Sequence, residues 1–146
     1  MEWRNIAGGF SMATVADGEP ADEALREFCR RIRDDVLPKN KGVDWDYLRV
    51  EFWPDSGRLI AFPANSFRSV RIEKAGCQVV FAELLGVYEE LADSDMEDVS
   101  FTAALKSAEQ VWIDRFILAA QDSGLSGQNV QFWDCDGKSP IRNVTV

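Results

Sequence analysis

Apolar positions along the chain follow two periods, and the switches between them divide it into elements. Leu25, Phe28, Cys29, Ile32 and Val36 recur at helical spacing and form one stripe. Pro20 suits a first helical turn, and Asp22 and Glu23 favour the positive end of a helix. Pro38 and Gly42 mark a stop. A helix is therefore expected from about Pro20 to Val36. Asp22–Arg26, Glu27–Arg31 and Arg30–Asp34 are spaced to pair on its outer surface.

The period then shortens to two. Leu48, Val50 and Phe52 alternate with Tyr47, Arg49, Glu51 and Trp53, the pattern of a half-buried strand. Pro54-Asp55-Ser56-Gly57 is turn chemistry, and Arg58 to Phe62 returns as a second strand that Pro63 is expected to stop. A third short strand is expected over Ser69 to Glu73, with Val70 and Ile72 inward. Helical spacing resumes over about Gln78 to Ala92, with Val80, Phe81, Leu84, Val87, Tyr88 and Leu91 on the core side. It continues over about Ser100 to Asp122. There Phe101, Leu105, Ala108, Trp112, Phe116 and Ala119, widened by Ile113 and Ile117, predict contact with a sheet and another helix together. Gly124 is the expected left-handed stop. Val130 and Phe132 alternate again, Asp136-Gly137 marks a hairpin turn, and Ile141 to Val146 closes the pair, with Pro140 at an edge or bulge.

The first eighteen residues read two ways. Trp3, Ile6, Ala7 and Phe10 fit a short helical face that Gly8-Gly9 weakens, and Phe10 to Val15 fits a strand equally well. The resulting expectation is a single α+β domain over residues 1–146, with an antiparallel sheet of about four to five strands packed against three helices. A chain of 146 residues can bury enough surface to fold without a metal or disulfide staple, and five Trp and nine Phe supply the apolar area that offsets chain entropy.

Charge changes this picture more than composition does. There are 25 acids against 16 bases, a net charge of −9. Such a surface repels a phosphate backbone and attracts a basic protein, although the same charge also serves solubility alone. Cys29, Cys77 and Cys135 form no CxxC pair, and an odd number suits a disulfide framework badly, so a reducing, cytoplasmic compartment is expected. Met1 to Phe10 lacks a basic region followed by a long apolar stretch, so no signal peptide is expected there. The apolar piece Phe116 to Ala120 is far too short for a membrane span.

Catalytic signatures are scarce. The chain has no histidine, which removes Ser-His, Cys-His and His-ligated zinc mechanisms. It has neither GxGxxG nor GxxxxGK[ST], and Gly124-Leu125-Ser126-Gly127 has the wrong spacing for a nucleophile elbow. Asp134-Cys135-Asp136-Gly137 places its glycine too early for a calcium loop and lacks the terminal glutamate, so a hairpin turn is expected. Carboxylates on either side of Cys135 raise a thiol pKa and blunt its reactivity. The pairs Asp44/Asp46 and Asp34/Asp35 read as exposed acids, and Asn143-Val144-Thr145 as an unused sequon. No catalytic, cofactor-binding or metal-binding residue is assigned.

The distribution of charge is more informative. From Ala75 to Leu105 there is no Lys or Arg, while Glu83, Glu89, Glu90, Asp93, Asp95, Glu97 and Asp98 lie in that stretch. Asp95, Glu97 and Asp98 complement the start of the following helix, whereas Glu89 and Glu90 approach a helix C-terminus, where negative charge is unfavourable. The plain reading is a solvated linker. The sharper one is an acidic docking surface of Glu89, Glu90, Asp93, Asp95, Glu97 and Asp98 for an Arg/Lys-rich partner, with Trp45 and Trp53 (and Tyr47) as aromatic anchors if they face outward.

The opening helix Glu23–Val36, the run Val43-Asp44-Trp45-Asp46-Tyr47-Leu48-Arg49-Val50-Glu51-Phe52, the acidic Tyr88-Glu89-Glu90-Leu91 and the late Asp134-Cys135-Asp136-Gly137-Lys138 follow one another in an order that resembles the YezG-like immunity proteins of bacterial polymorphic toxin systems. The resemblance covers roughly two thirds of the chain by element order. The helix Ser100–Asp122 and the segment Met1–Gly18 depart from it. It implies a non-enzymatic cytosolic inhibitor that binds a cognate toxin, often a nuclease, whose phosphate-binding surface is positive. Three readings therefore stand: an acidic protein that neutralises a basic toxin or effector; a small-molecule-binding domain or small enzyme with a carboxylate/Arg site; and a viral inhibitor or adaptor with a nucleic-acid-mimicking face.

Overall fold

The computed structural model describes residues 1–67, 75–138 and 140–146. Strand β1 (Arg4–Ala7) turns through Gly8-Gly9 into β2 (Phe10–Thr14). Both glycines have positive φ (55° and 83°), the requirement of a tight two-residue hairpin, so the glycines that weaken a helix here make a turn. Helix α1 (Ala21–Arg31) widens through a π-turn (Ile32–Val36) into the short α2 (Leu37–Lys39). The rest are β3 (Tyr47–Trp53), β4 (Arg58–Ala64), β5 (Gly76–Val80), α3 (Ala82–Ala92), α4 (Asp98–Ser123), β6 (Asn129–Asp134) and β7 (Pro140–Thr145).

The fold is α+β with three main helices, as expected, but the sheet is larger and mixed. Its seven strands run in the order β1-β2-β5-β4-β3-β6-β7. Two joins are parallel, β2 with β5 and β3 with β6, and the other four are antiparallel. Parallel neighbours need a long connection to carry the chain back to the same end. The path from β2 to β5 contains α1, β3 and β4, and the path from β3 to β6 contains α3 and α4, so both are long enough.

Several boundaries differ from expectation. The helix does not stop at Pro38. Pro38 offers no N–H to the turn before it, and the widened turn just upstream, where the Leu37 amide donates to Ile32 O, takes up the mismatch. Gln78–Val80 is strand, because Cys77 and Val79 alternate inward with period two, and α3 starts only at Ala82. Strand β4 runs through Pro63, which lies two residues beyond the last β4–β5 pair, Ala61↔Cys77, so its missing N–H costs no bond to β5. The strand expected at Ser69–Glu73 falls outside the described residues.

All three long helices supply residues to one core. Leu48, Val50 and Phe52 of β3, Leu59 and Ala61 of β4, Cys77 and Val79 of β5, and Val130 and Phe132 of β6 face it from the sheet. From the helices come Leu25, Phe28, Cys29 and Ile32, then Leu84, then Trp112, Ile113, Phe116 and Ala120. Aromatic rings run through this layer edge to face: Phe28 to Phe116 (6.2 Å), Phe116 to Phe132 (5.4 Å) and Phe81 to Trp112 (5.1 Å). On the other sheet face Tyr47, Phe62 and Ala64 form a second small cluster, and Arg49 lies 4.0 Å above the Trp133 ring while donating to Glu51 at 2.7 Å.

The bases of α1 are largely used in local pairs, though not the ones the spacing suggests. Arg26 and Arg30 meet Glu23, Arg30 meets Glu27, and Arg31 and Lys39 meet Asp35. Asp22 turns instead to Arg115 of α4, at 2.8 Å. The π-turn brings Arg33 to the end of α4, where it donates to the Ser123 carbonyl, and this fastens the C-termini of the two helices together.

Candidate functional site

Helices α3 and α4 make an antiparallel hairpin of which only part is seated on the body. At its base Gly57, with φ of 69°, accepts the Phe81 amide at 2.7 Å. An added Cβ there would lie 2.6 Å from the Phe81 carbonyl, so the close approach of this turn to the start of α3 depends on glycine. Beyond this base only Leu84 of α3 is buried. Along α4 burial begins at Glu109, and none of the eleven residues Asp98–Ala108 is buried, a length of about 16 Å at the α-helical rise. The apolar stripe expected to seat the whole helix therefore does so only over its C-terminal half. In the outer half Phe101 packs edge to face on Tyr88 at 5.9 Å, holding the two helices to each other.

The result is an arm, and it carries the acidic run. Glu89, Glu90, Asp93, Asp95, Glu97 and Asp98 are all exposed. Among the described residues none of them forms an ion pair. Glu83, at the base, is different: it is paired with Arg115 at 2.9 Å. Asp98 lies in the first turn of α4, where negative charge is favoured, but α3 has no basic residue in its last turn to offset Glu89 and Glu90. Beside these carboxylates lies apolar surface. Val99 is 80% exposed, and Met96 is also exposed. An open groove runs along α4 past Asp98, Val99, Thr102, Ala103 and Lys106.

The structure brings the six acids together on one arm but does not add both expected aromatic anchors to it. Trp45 and Trp53 are half-buried and stand at the two ends of β3, roughly 26 Å apart at the rise of an extended chain. Trp53 donates its indole N–H to Glu51 at 3.2 Å, and Tyr47 is buried in the second cluster.

One polar residue that sequence reasoning passed over stands out. Glu109 is 1% exposed, in the middle of the apolar face of α4, and its Oε2 has no hydrogen-bond partner. Burial first, and then the nearby Asp134, raise its pKa to about 7. Its position was visible in the pattern, four residues after Leu105 and three before Trp112, on the stripe itself. In the neighbouring turn Asp134, half-buried, is raised by burial and then by Asp136. Asp136 is held ionised by the Lys138 amide, at 3.0 Å.

Among the described residues no group of three or more acidic or cysteine side chains is arranged to hold a metal ion, and no helix is long and apolar enough to cross a membrane. Cys29 and Cys77 are free and buried, with burial pushing the Cys29 thiol up to about 12, and Cys135 is free and exposed. The layer between helices and sheet, where a ligand pocket of a small enzyme would be expected, is filled by the rings of Phe28, Phe52, Phe81, Phe116 and Phe132. No protein-family model, curated protein or solved structure matches the chain.

Proposed function

We propose that the protein is a non-enzymatic binding protein whose α3–α4 arm docks a basic protein and masks it, in the manner of an inhibitor of a toxin or other cationic effector. The observation that carries this reading is the contrast between two helical surfaces. From α1 through the π-turn to α2, Glu23, Glu27, Asp34 and Asp35 are each matched by an arginine or lysine of the same run, and Asp22 by Arg115 of α4. On the arm six exposed acids have no cation among the described residues, and two of them sit at the unfavourable end of α3. Folding alone does not account for charges placed there. An incoming cationic surface does, since it gains Coulomb attraction at long range and meets apolar Val99 and Met96 at short range. A nuclease is one fitting partner, because it must present positive charge to phosphate.

Co-purification of the tagged protein from its own cells, followed by mass spectrometry, tests the reading. A basic protein retained by the unaltered chain, released by salt and lost from a variant with Glu89, Glu90, Asp93 and Asp95 changed to Lys supports it. Retention that is indifferent to that reversal, or partners that are all acidic, counts against it.

A further inference from the structure

The outer half of α4 presents one exposed flank with a pattern of its own. Asp98, Val99, Thr102, Ala103 and Lys106 are all exposed and line the open groove together. At the α-helical turn Val99, Thr102, Ala103 and Lys106 fall within an arc of about 100°. Phe101, which packs on Tyr88, lies roughly on the other side of the helix, so the groove is turned away from α3. Its two ends are charged and its middle is not. Between Asp98 and Lys106 the lining is Val99, Thr102 and Ala103. A volume of about 380 Å³ would admit a small molecule, but the groove is open and lacks the convergent polar groups that orient one. The ends also differ from each other. Asp95, Glu97 and Asp98 gather where α4 begins, and Lys106 is the first base after them in the chain.

We propose that this groove receives an amphipathic helix of the basic partner, laid antiparallel to α4. Its apolar side chains, at i, i+3 or i+4 and i+7, meet Val99, Thr102 and Ala103, and its cationic last turn meets Asp95, Glu97 and Asp98. The inference rests on the reading of the arm as a dock for a basic protein, and it specifies which part of that protein is docked. A helix fits better than a strand, because the groove follows one helical face and offers no free sheet edge for a strand to join. The direction follows from charge. Cations are favoured in the last turn of a helix and carboxylates in the first turn. An antiparallel pair satisfies both helices at once, whereas a parallel one would place the partner's bases at its own unfavourable end. The eleven outer residues of α4, about 16 Å long, match three turns of such a helix. A second copy of this chain is a poorer occupant, since two bodies of net charge −9 repel each other.

The probe is a synthetic peptide of about 18 residues, long enough to be partly helical alone, with Leu at that spacing and Lys in its last turn. Two controls share its composition: one carries the Lys residues in its first turn, and the other has Leu moved off the stripe. Affinity is read by titration calorimetry at low salt, and the site by amide NMR shifts. The first peptide is expected to bind about tenfold or more tightly than either control and to shift the amides of Val99, Thr102 and Ala103. Its affinity should fall about tenfold in Ala103→Gln, an exposed change that keeps the charge and a good helix former. Equal affinity for the three peptides, shifts that miss the groove, or indifference to Ala103→Gln overturns the proposal. None of these results touches the attraction of the arm for a basic protein, which is read separately from the charge-reversed arm in co-purification. Self-association of the chain that Ala103→Gln abolishes would give the groove to a second copy and overturn the proposal as well.

Discussion

A carboxyl group buried without a partner makes stability depend on pH in a definite direction, and Glu109 sets that direction here. Its folded value is about 7 against an ordinary 4.5, so between these limits the folded chain keeps a proton that the unfolded chain gives up. Its contribution to stability is fully present below about pH 4.5, is lost as pH rises to about 7, and changes little beyond. The gap corresponds to at most roughly 3 kcal/mol. Glu109→Gln should therefore be more stable than the unaltered protein at pH 8 by roughly 1–3 kcal/mol and nearly equal to it at pH 4.5, as read from urea unfolding at both values. An equal difference at the two pH values would show that Glu109 does not titrate in the fold. The residue was legible in the sequence as one charged position on an apolar stripe. Its neighbours were not, because Asp134 and Asp136 lie some 25 residues away and meet it only through the sheet. At the same scale, Phe116 touches both Phe28 and Phe132, so Phe116→Ala should cost about 3–5 kcal/mol of unfolding free energy.

Among the elements, the base of the arm and its tip make opposite demands. Gly57 must have no side chain, since a Cβ would press into the Phe81 carbonyl and the Leu85 side chain. Gly57→Ala is therefore expected to lower the thermal midpoint by several degrees. At the tip, Glu89→Gln with Glu90→Gln removes negative charge from the end of α3 and should raise the midpoint slightly, by about 2 °C. A stabilising change that weakens partner binding is the signature of a functional charge. The long helices, the β3–β4 hairpin and the closing β6–β7 hairpin were readable from periodicity, because their apolar positions recur at helical or alternating spacing and the chain turns between them at Gly or Pro. The parallel joins were not, because a two-residue period states which face is buried and is silent about the neighbouring strand. Strand β5 was hidden for a related reason: Val80 and Phe81 satisfy a helical stripe with Leu84 as well as a strand end, and only the sheet decides between them. The outer half of α4 shows the converse, since Phe101 and Leu105 fit a core-facing stripe yet neither is buried, and Phe101 packs on Tyr88 of α3 instead.

For the whole molecule, the uneven placement of charge matters more than its total. The net charge of −9 is compatible with many roles; the cationic partner proposed above rests on its division between α1, whose acids meet bases of that helix or of α4, and an arm whose six acids form no ion pair among the described residues. The direct measurement is the association rate with the basic protein captured by co-purification, taken across ionic strength. It compares the unaltered chain with the one in which Glu89, Glu90, Asp93 and Asp95 are Lys. Each change adds two charges, bringing the net charge from −9 to −1. The expected result is an on-rate about tenfold or more slower for the reversed arm at low salt, converging with the unaltered protein as salt screens the attraction. Identical on-rates and identical salt dependence for the two proteins would contradict the role given to the arm.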